Sequence, residues 1–395
     1  MTTARTLFAL LLLCSASGCA AAADREYVTH FAAHFNAEEK TALATLSLKN
    51  SAAVRELNFN FDPAIYTLVS ADGEAVTEEG RLVWQPPADG GDLSYTVTFD
   101  EPRNRHKMTN KWVITKLDRL FPPARIKTRG STANVVTVAL TGPDDWSFES
   151  PFGKATNVVL DIPNTRTFTR PTGWIIGGDI GIRRTFIGPV ETAIAAPKGL
   201  GFERMEVLTF LRWTMPELLK VMPNFPEHLL ILGAPEEMWR GGLSGKNSLY
   251  LHSGRPLVSE NSTSTLLHEL LHVGGLHSAA DEDDWIVEGL SEFYSIELLY
   301  RSGGISAERR QATMDWLNAW VERENGRLHD PSRGADTAAA VLLFADLAEE
   351  LGKKNANIDE VTRALIQAAQ PSRKVLIEAA NKALGQPSRV LKHLQ

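Results

Sequence analysis

The hydrophobic pattern of this 395-residue chain changes period once, and that change bounds what it can fold into. From about Thr45 to Asp161, short runs alternate apolar and polar residues: LSLKN, RELNFNFD, RLVWQP, LSYTVTFD and VVTVAL. Turn residues such as Asp72-Gly73 and Gly90-Gly91 separate them. Alternation buries one face of a strand, so this part predicts an antiparallel, sandwich-like β domain of roughly a hundred residues. From about Thr263 the apolar residues recur at helical spacing almost to the end: DWIVEGLSEFYSIELLYRSGG, ERRQATMDWLNAWVERENG, TAAAVLLFADLAEELGKK and two shorter helices. In between, WIIGG, VETAIAAP and, after an amphipathic helix, HLLILGAP read as strands of a smaller sheet. The expected fold is multidomain α+β. An N-terminal antiparallel β domain spans 24–169, and a second domain with a small sheet and a helical C-terminal part spans 170–395.

The chain begins MTTARTLFALLLLCSASGCAAAADRE: one Arg, an apolar run from Leu7 to Leu13, then small residues. This is the grammar of a secretory signal peptide and is too short to span a bilayer as a mature helix. Ala16-Ser17-Gly18-Cys19 reads like a bacterial lipobox, with Ala where Leu is usual. The expectation is removal of 1–18, lipidation of Cys19, and an exported lipoprotein of the bacterial envelope facing the periplasm or exterior. Its membrane contact would be the N-terminal lipid anchor. Ordinary cleavage in the Ala-rich run is the alternative. The only two cysteines are Cys14 and Cys19, so a lipoprotein of this sequence has no disulfide and is stabilised by its core. With a net charge of −7 and no basic cluster or aromatic-rich basic stripe, nucleic acid is not an expected partner. The sequence does not speak to oligomeric state.

The chemistry concentrates in LLHELLHVGGLH, residues Leu266 to His277. His268 and His272 lie four apart, so on a helix both imidazoles leave one face and can meet one ion, with Glu269 beside them. Leu266, Leu270 and Val273 form an apolar stripe that Leu267 and Leu271 widen, and Asn261 to Ser264 supply N-caps. Zinc on two neutral imidazoles leaves room for a water, lowers its pKa, and requires a carboxylate to take the proton. The bland reading is a buried leucine-rich helix with two hydrogen-bonded histidines. A third ligand decides between them, and two candidates compete. HExxHxxGxxH would require histidine at 278, where this chain has Ser278; His277 misses by one and no Met-turn follows. The other candidate is Glu288 in DWIVEGLSEFY, with Glu292 one turn later able to accept the spare N–H of a ligand histidine.

The pair HELLH and WIVEGLSEFY resembles the gluzincins, whose catalytic domain is thermolysin-like. It is most similar to the glycyl aminopeptidases of peptidase family M sixty-one and their aminopeptidase relatives, which carry W-x-x-E-G-[FL] after HExxH. RGGLSGKNSLYLH, Arg240 to His252, resembles that family's GGLEHxxS strand, and a preceding β domain is its arrangement too. The resemblance covers Arg170 to Leu351, and the β domain only loosely. It implies one zinc per chain on His268, His272 and Glu288, Glu269 as general base, Glu292 behind a ligand, and peptide or protein substrates. Three departures qualify it. Only fifteen residues separate His272 from Glu288. Ser244 stands where the aminopeptidases place the Glu that anchors the substrate amine. The family's transition-state Tyr belongs near Asp336 and Thr337, and no Tyr follows Tyr300. Tyr250, His252 and His329 are the candidate substitutes as oxyanion or substrate contacts. Losing such a donor costs roughly a hundredfold in rate, so a catalytically weak envelope binding protein is the rival reading.

Two weaker features remain. NSLYLHS alternates Leu249 and Leu251 against Ser248, Tyr250 and His252, as an edge strand with one wet face would. The acidic run Asp281 to Asp284 lacks the loop glycine and ligand spacing of an EF-hand and reads as a solvated connection.

Overall fold

The computed structural model describes residues 25–99, 103–130, 132–153, 160–161 and 168–394. The signal-like segment and Cys19 lie outside the described residues. The described residues open with the strand Arg25–Asn36, which turns Tyr27, Thr29, Phe31, Ala33 and Phe35 inward, at the spacing of two that a half-buried strand demands. It pairs antiparallel with Thr41–Lys49 and parallel with Thr132–Thr141 in a six-stranded sheet. That parallel pair departs from the all-antiparallel expectation. The chain leaves this sheet to build others and re-enters beside its first strand in the same direction, which only a long crossover permits. A four-stranded sheet (Ala124–Thr128, Val54–Asn60, Arg81–Gln85, Glu74–Glu78) shares its core, with Leu57, Phe59, Leu82 and Trp84 meeting Phe31, Leu46, Leu93 and Tyr95.

A third sheet corrects the sequence reading. WIIGG, expected in the smaller sheet, is the strand Trp174–Gly178 and pairs instead with Trp112–Lys116, matching Ile176 to Ile114. All five of its residues are buried. A run without alternation does not announce which neighbours it takes. The pairing carries the far end of Trp112–Lys116 toward the second half of the molecule.

His106 is fixed in this junction, stacked on Trp174 with ring centroids 5.5 Å apart and its Nδ1 3.1 Å from Thr115 Oγ1. Burial, helped by the charges of Arg119, Lys116 and Arg105, pushes its pKa down to about 3. An unfolded chain takes up that proton near pH 6.5. The fold therefore binds fewer protons between those values. The stabilisation from a neutral His106 is complete above about pH 6.5 and is lost as the pH falls from there toward 3, on the order of 5 kcal/mol in all. Urea unfolding of His106→Gln against the parent from pH 7 to pH 4 is expected to show a shallower acid loss in the variant. Parallel curves would exclude the buried imidazole as a source of acid lability.

The second half contains a five-stranded sheet ordered Ile180–Ile187, Val190–Pro197, His228–Ala234, Ser248–His252, Gly242–Gly245. Ile194, Ile231, Leu249 and Leu251 face helices, including Leu211 and Leu218 of Arg204–Val221 and the leucines of HELLH. Ala195, Leu230, Leu232 and Tyr250 face Trp174, Ile114 and Ile176 of the third sheet. Ser248–His252 is consequently an interior strand with every residue buried, not the half-wet edge its alternation suggested. Tyr250 meets protein where water was expected. The edge belongs to Gly242–Gly245.

Helices Asp284–Arg301, Ala307–Glu324, Ala335–Gly352, Ile358–Gln367 and Arg373–Leu384 follow, and the described residues end in the 3-10 helix Val390–Leu394. The run Asp281 to Asp284 is only half solvated: Asp283 is buried, accepting from the Arg373 N–H at 2.7 Å, while Asp284 accepts from Ser332 N–H at 3.3 Å. Among the described residues, no helix is long and apolar enough to cross a membrane.

Candidate metal centre

The helix Thr265–Val273 starts where the Ser264 side chain accepts the Leu267 N–H, one of the caps the sequence offered. Leu266, Leu267, Leu270 and Leu271 are fully buried. Each such burial contributes about 1.5–3 kcal/mol, so the helix is a stiff base for what it carries. Its end explains the short gap. Gly275 adopts φ +129, a backbone closed to side chains with a Cβ, and this turns the chain so that Leu276 N–H reaches Leu271 O at 3.1 Å. The same turn puts the Leu276 carbonyl against His272 Nδ1.

The helix Asp284–Arg301 then passes with Glu288 and Glu292 on one face, a turn apart. The nearest ligand atoms of His268, His272 and Glu288 all lie within 4.8 Å of one another. The two Nε2 atoms stand 3.1 Å apart, His268 Nε2 is 3.4 Å from Glu288 Oε2, and His272 Nε2 is 3.7 Å from Glu288 Oε1. Each imidazole has an acceptor behind it: Glu292 Oε2 lies 3.0 Å from His268 Nδ1, and the Leu276 carbonyl faces His272 Nδ1. Those acceptors hold the protons on Nδ1 and turn two bare Nε2 lone pairs toward a carboxylate.

Such a donor set repels itself unless a positive charge sits in it. The charges around the two groups act in the same sense. Burial opposes a charge on His268, yet hydrogen bonds to Glu288 and Glu292 and the nearby Glu292 and Glu269 charges raise its pKa well above the usual histidine value. Burial likewise raises Glu288, and the His268 hydrogen bond with the two imidazole charges overrides it and lowers the pKa. The spacings fit zinc: ligand atoms at 2.0–2.2 Å on a tetrahedron stand about 3.3–3.6 Å from one another.

Glu269 is buried outside that donor set and packed beneath the edge strand. A Cβ at Gly242 would lie 2.7 Å from Glu269 Cγ and 3.1 Å from its Oε1, so only glycine lets the strand settle onto the carboxylate. The phase of that strand follows from the bond from His252 N–H to Gly241 O. In an antiparallel pair hydrogen-bonded positions alternate, so Gly242 and Ser244 direct their amide groups to the outer edge. Ser244 O there accepts from Lys116 Nζ at 2.8 Å.

Lys116 is the site neighbour that sequence reasoning missed. It ends the apolar run WVIT far upstream of HELLH, and only the WIIGG pairing brings it here.

Other expected residues go elsewhere. Tyr250 and His252 lie on the sheet face opposite Leu249 and Leu251, hence away from the HELLH helix. Tyr250 is stacked on Trp174 and donates to the Trp239 carbonyl, and His252 Nδ1 accepts from Gly254 N–H at 3.0 Å. His329 is exposed, next to Asp330, whose carboxylate accepts from Trp285 N–H at 3.3 Å. That places it near the start of the Glu288 helix but not in the donor group. His277 is exposed and outside that group as well.

No protein-family model matches the chain, and no curated protein matches it. Solved structures do. An aminopeptidase N family protein from Idiomarina loihiensis aligns over 93% of this chain and 73% of its own, with TM-score 0.65 at 12% identity. An M1 zinc metallopeptidase from Deinococcus radiodurans aligns over 92% and 91%, with TM-score 0.56 at 17% identity. A single-residue mutant of that enzyme aligns over 94% and 92%, with TM-score 0.57 at 16% identity. At such identities the likeness shows the fold alone. The chain has the gluzincin-like peptidase fold in its M1 aminopeptidase-like arrangement, N-terminal β sheets followed by a helical C-terminal part.

Proposed function

We propose that the chain is a zinc-dependent metallopeptidase that hydrolyses peptide bonds, with one zinc held by His268, His272 and Glu288. The observation that carries this reading is the joint arrangement of two Nε2 lone pairs and a carboxylate, with the buried Glu269 on the same helix. Zinc bound there supplies Lewis acidity, polarising a carbonyl and acidifying water. The residues do the rest. Glu292 and the Leu276 carbonyl fix the imidazole tautomers. Glu269, packed beneath Gly242, takes a proton from the attacking water and returns it to the leaving amine. The outer edge at Gly242 offers main-chain groups with which a substrate backbone can pair as an added strand.

Kinship with the glycyl aminopeptidases rests on WIVEG and GGLSG, while the structural neighbours belong to the M1 group. Ser244 in place of an amine-anchoring Glu argues against strict aminopeptidase action. One observation favours the rival reading of a weak or inactive binding protein: Tyr250 is locked in the core and no Tyr follows Tyr300, which leaves the oxyanion donor unassigned. The position of Glu269 argues for catalysis, since a site losing its activity would lose its base first. Metal analysis of the purified protein with a peptide-library digest, against Glu269→Gln as control, tests the proposal. A chain without zinc, or cleavage equal in the control, would refute it.

The proposal includes export and anchoring through lipidated Cys19, on the strength of the ASGC sequence. Mass spectrometry of the mature N-terminus is expected to find a diacylglyceryl-modified Cys19. An unmodified start at Ala20 or beyond would mean a secreted protein without an anchor.

A further inference from the structure

We propose that Lys116 makes the subsite beside Ser244 selective for substrates bearing a carboxylate there, and closes it to a free α-ammonium group. The proposal rests on the peptidase reading and names the substrate class of that same site.

The argument starts from the edge strand. A peptide added to the outer edge finds the amide groups of Gly242 available, directly above Glu269. Two residues on, at Ser244, the outward carbonyl is already taken by Lys116 Nζ at 2.8 Å. Strand pairing therefore cannot continue unchanged past this point, and whatever part of the substrate arrives there meets an ammonium group. The side chain is held for that role. Its Nζ lies 5.0 Å from the centroid of the Trp174 ring, a buried residue of the neighbouring strand, and a lysine ammonium has three donors of which Ser244 uses one.

The surrounding charges are of both signs. Asp118, two residues along, is engaged with Arg170 at 3.3 Å and with Gly173 N–H at 3.1 Å. Arg105 lies over the Trp239 ring at 5.2 Å, near enough for its positive charge to act on Lys116. Burial lowers the Lys116 pKa, Asp118 and Glu269 oppose that effect, and Arg105 adds to it. Glu269 is thus near enough for its charge to act on Lys116. A substrate carboxylate at Ser244 gains from Lys116, whereas an ammonium meets like charge in a partly desolvated place.

The experiment uses a phosphinic pseudopeptide of one backbone in three N-terminal forms, succinylated, acetylated and free amine. Their Kd values on the zinc-loaded protein are measured by calorimetry. The succinylated form is expected to bind at least about tenfold tighter than the acetylated form, and the free amine at least about tenfold weaker. Lys116→Met should compress the three to within about threefold, Lys116→Arg should keep the order, and Lys116→Glu should invert it. Should a variant fail to fold, the parent protein still decides: its preference must shrink as ionic strength rises. Equal binding of the three forms, no binding of any, an order that survives Lys116→Met or one indifferent to salt overturns the proposal. Cleavage is scored separately. A protein that ranks the ligands as expected but hydrolyses no peptide sinks the peptidase reading and leaves the anionic subsite. One that cleaves peptides without charge preference does the opposite.

Discussion

Replacing Glu288 with Ala is expected to take the zinc content from one ion per chain to near zero after dialysis, while His277→Ala leaves it at one. Two imidazoles on consecutive turns of one helix present converging lone pairs, but a structural or catalytic zinc site needs a third protein ligand. Glu288 is the acid whose carboxylate oxygens approach both Nε2 atoms, at 3.4 and 3.7 Å. Removing it also leaves Glu292 to His268 as the remaining side-chain bridge between the two helices that the site supplies. The loss should exceed the roughly 10–100-fold in affinity that follows when only an outer partner is lost, the effect expected of Glu292→Gln. The same comparison has a stability readout, because a ligand at a thousand times its Kd stabilises the folded state by about 4 kcal/mol. A chelator should therefore lower the Tm of the parent and leave that of Glu288→Ala almost unchanged. If zinc content follows His277 instead, the ion is held in another way and the gluzincin reading is wrong.

What could be read from the sequence, and what could not, divides along a physical line. Local signals were sufficient wherever the partner was close in sequence or the pattern periodic. The i, i+4 pair His268 and His272, the i, i+4 pair Glu288 and Glu292, and the cap at Ser264 all follow from helix geometry. Glu288 was reachable because it lies on the next helix, with only fifteen residues between it and His272. The failures come from sheets. WIIGG and SLYLH are both wholly buried strands, and the identity of a buried strand's neighbours is a property of topology, not of its own pattern. Two consequences went unseen. Tyr250 and His252 looked like cleft residues and point into the opposite layer. Lys116 looked like the ordinary end of a strand and stands at the edge of the candidate site. The glycine at 242 belonged to a motif legible in the sequence, but its reason, the carboxylate lying where a Cβ would go, needed coordinates.

Glu269→Gln is expected to lower kcat/KM on any peptide the parent cleaves by about 10²–10⁴-fold, the usual contribution of a positioned general base, with zinc content unchanged. Gln has almost the shape of Glu, so the packing beneath Gly242 survives, and the helix keeps its buried leucines. Glu269 is not among the three residues whose ligand atoms converge, so the ion has no reason to leave. What the amide cannot do is accept a proton and hand it on. Gly242→Ala provides the complementary test. It keeps the carboxylate but places a Cβ 2.7 Å from Glu269 Cγ, closer than packed carbons stand, so base or strand must shift. A displaced base should cost rate and leave zinc in place, at the scale of the roughly hundredfold that misplacement by about 1 Å brings. Acid–base chemistry would be excluded as the role of Glu269 if Glu269→Gln retained full activity. It would be equally excluded if the variant lost activity only in proportion to lost zinc, because the residue would then be supporting the ion and the search for a base would move elsewhere. Loss of rate with the metal retained, in both variants, is the result that only a carboxylate held against the edge strand for proton transfer accounts for.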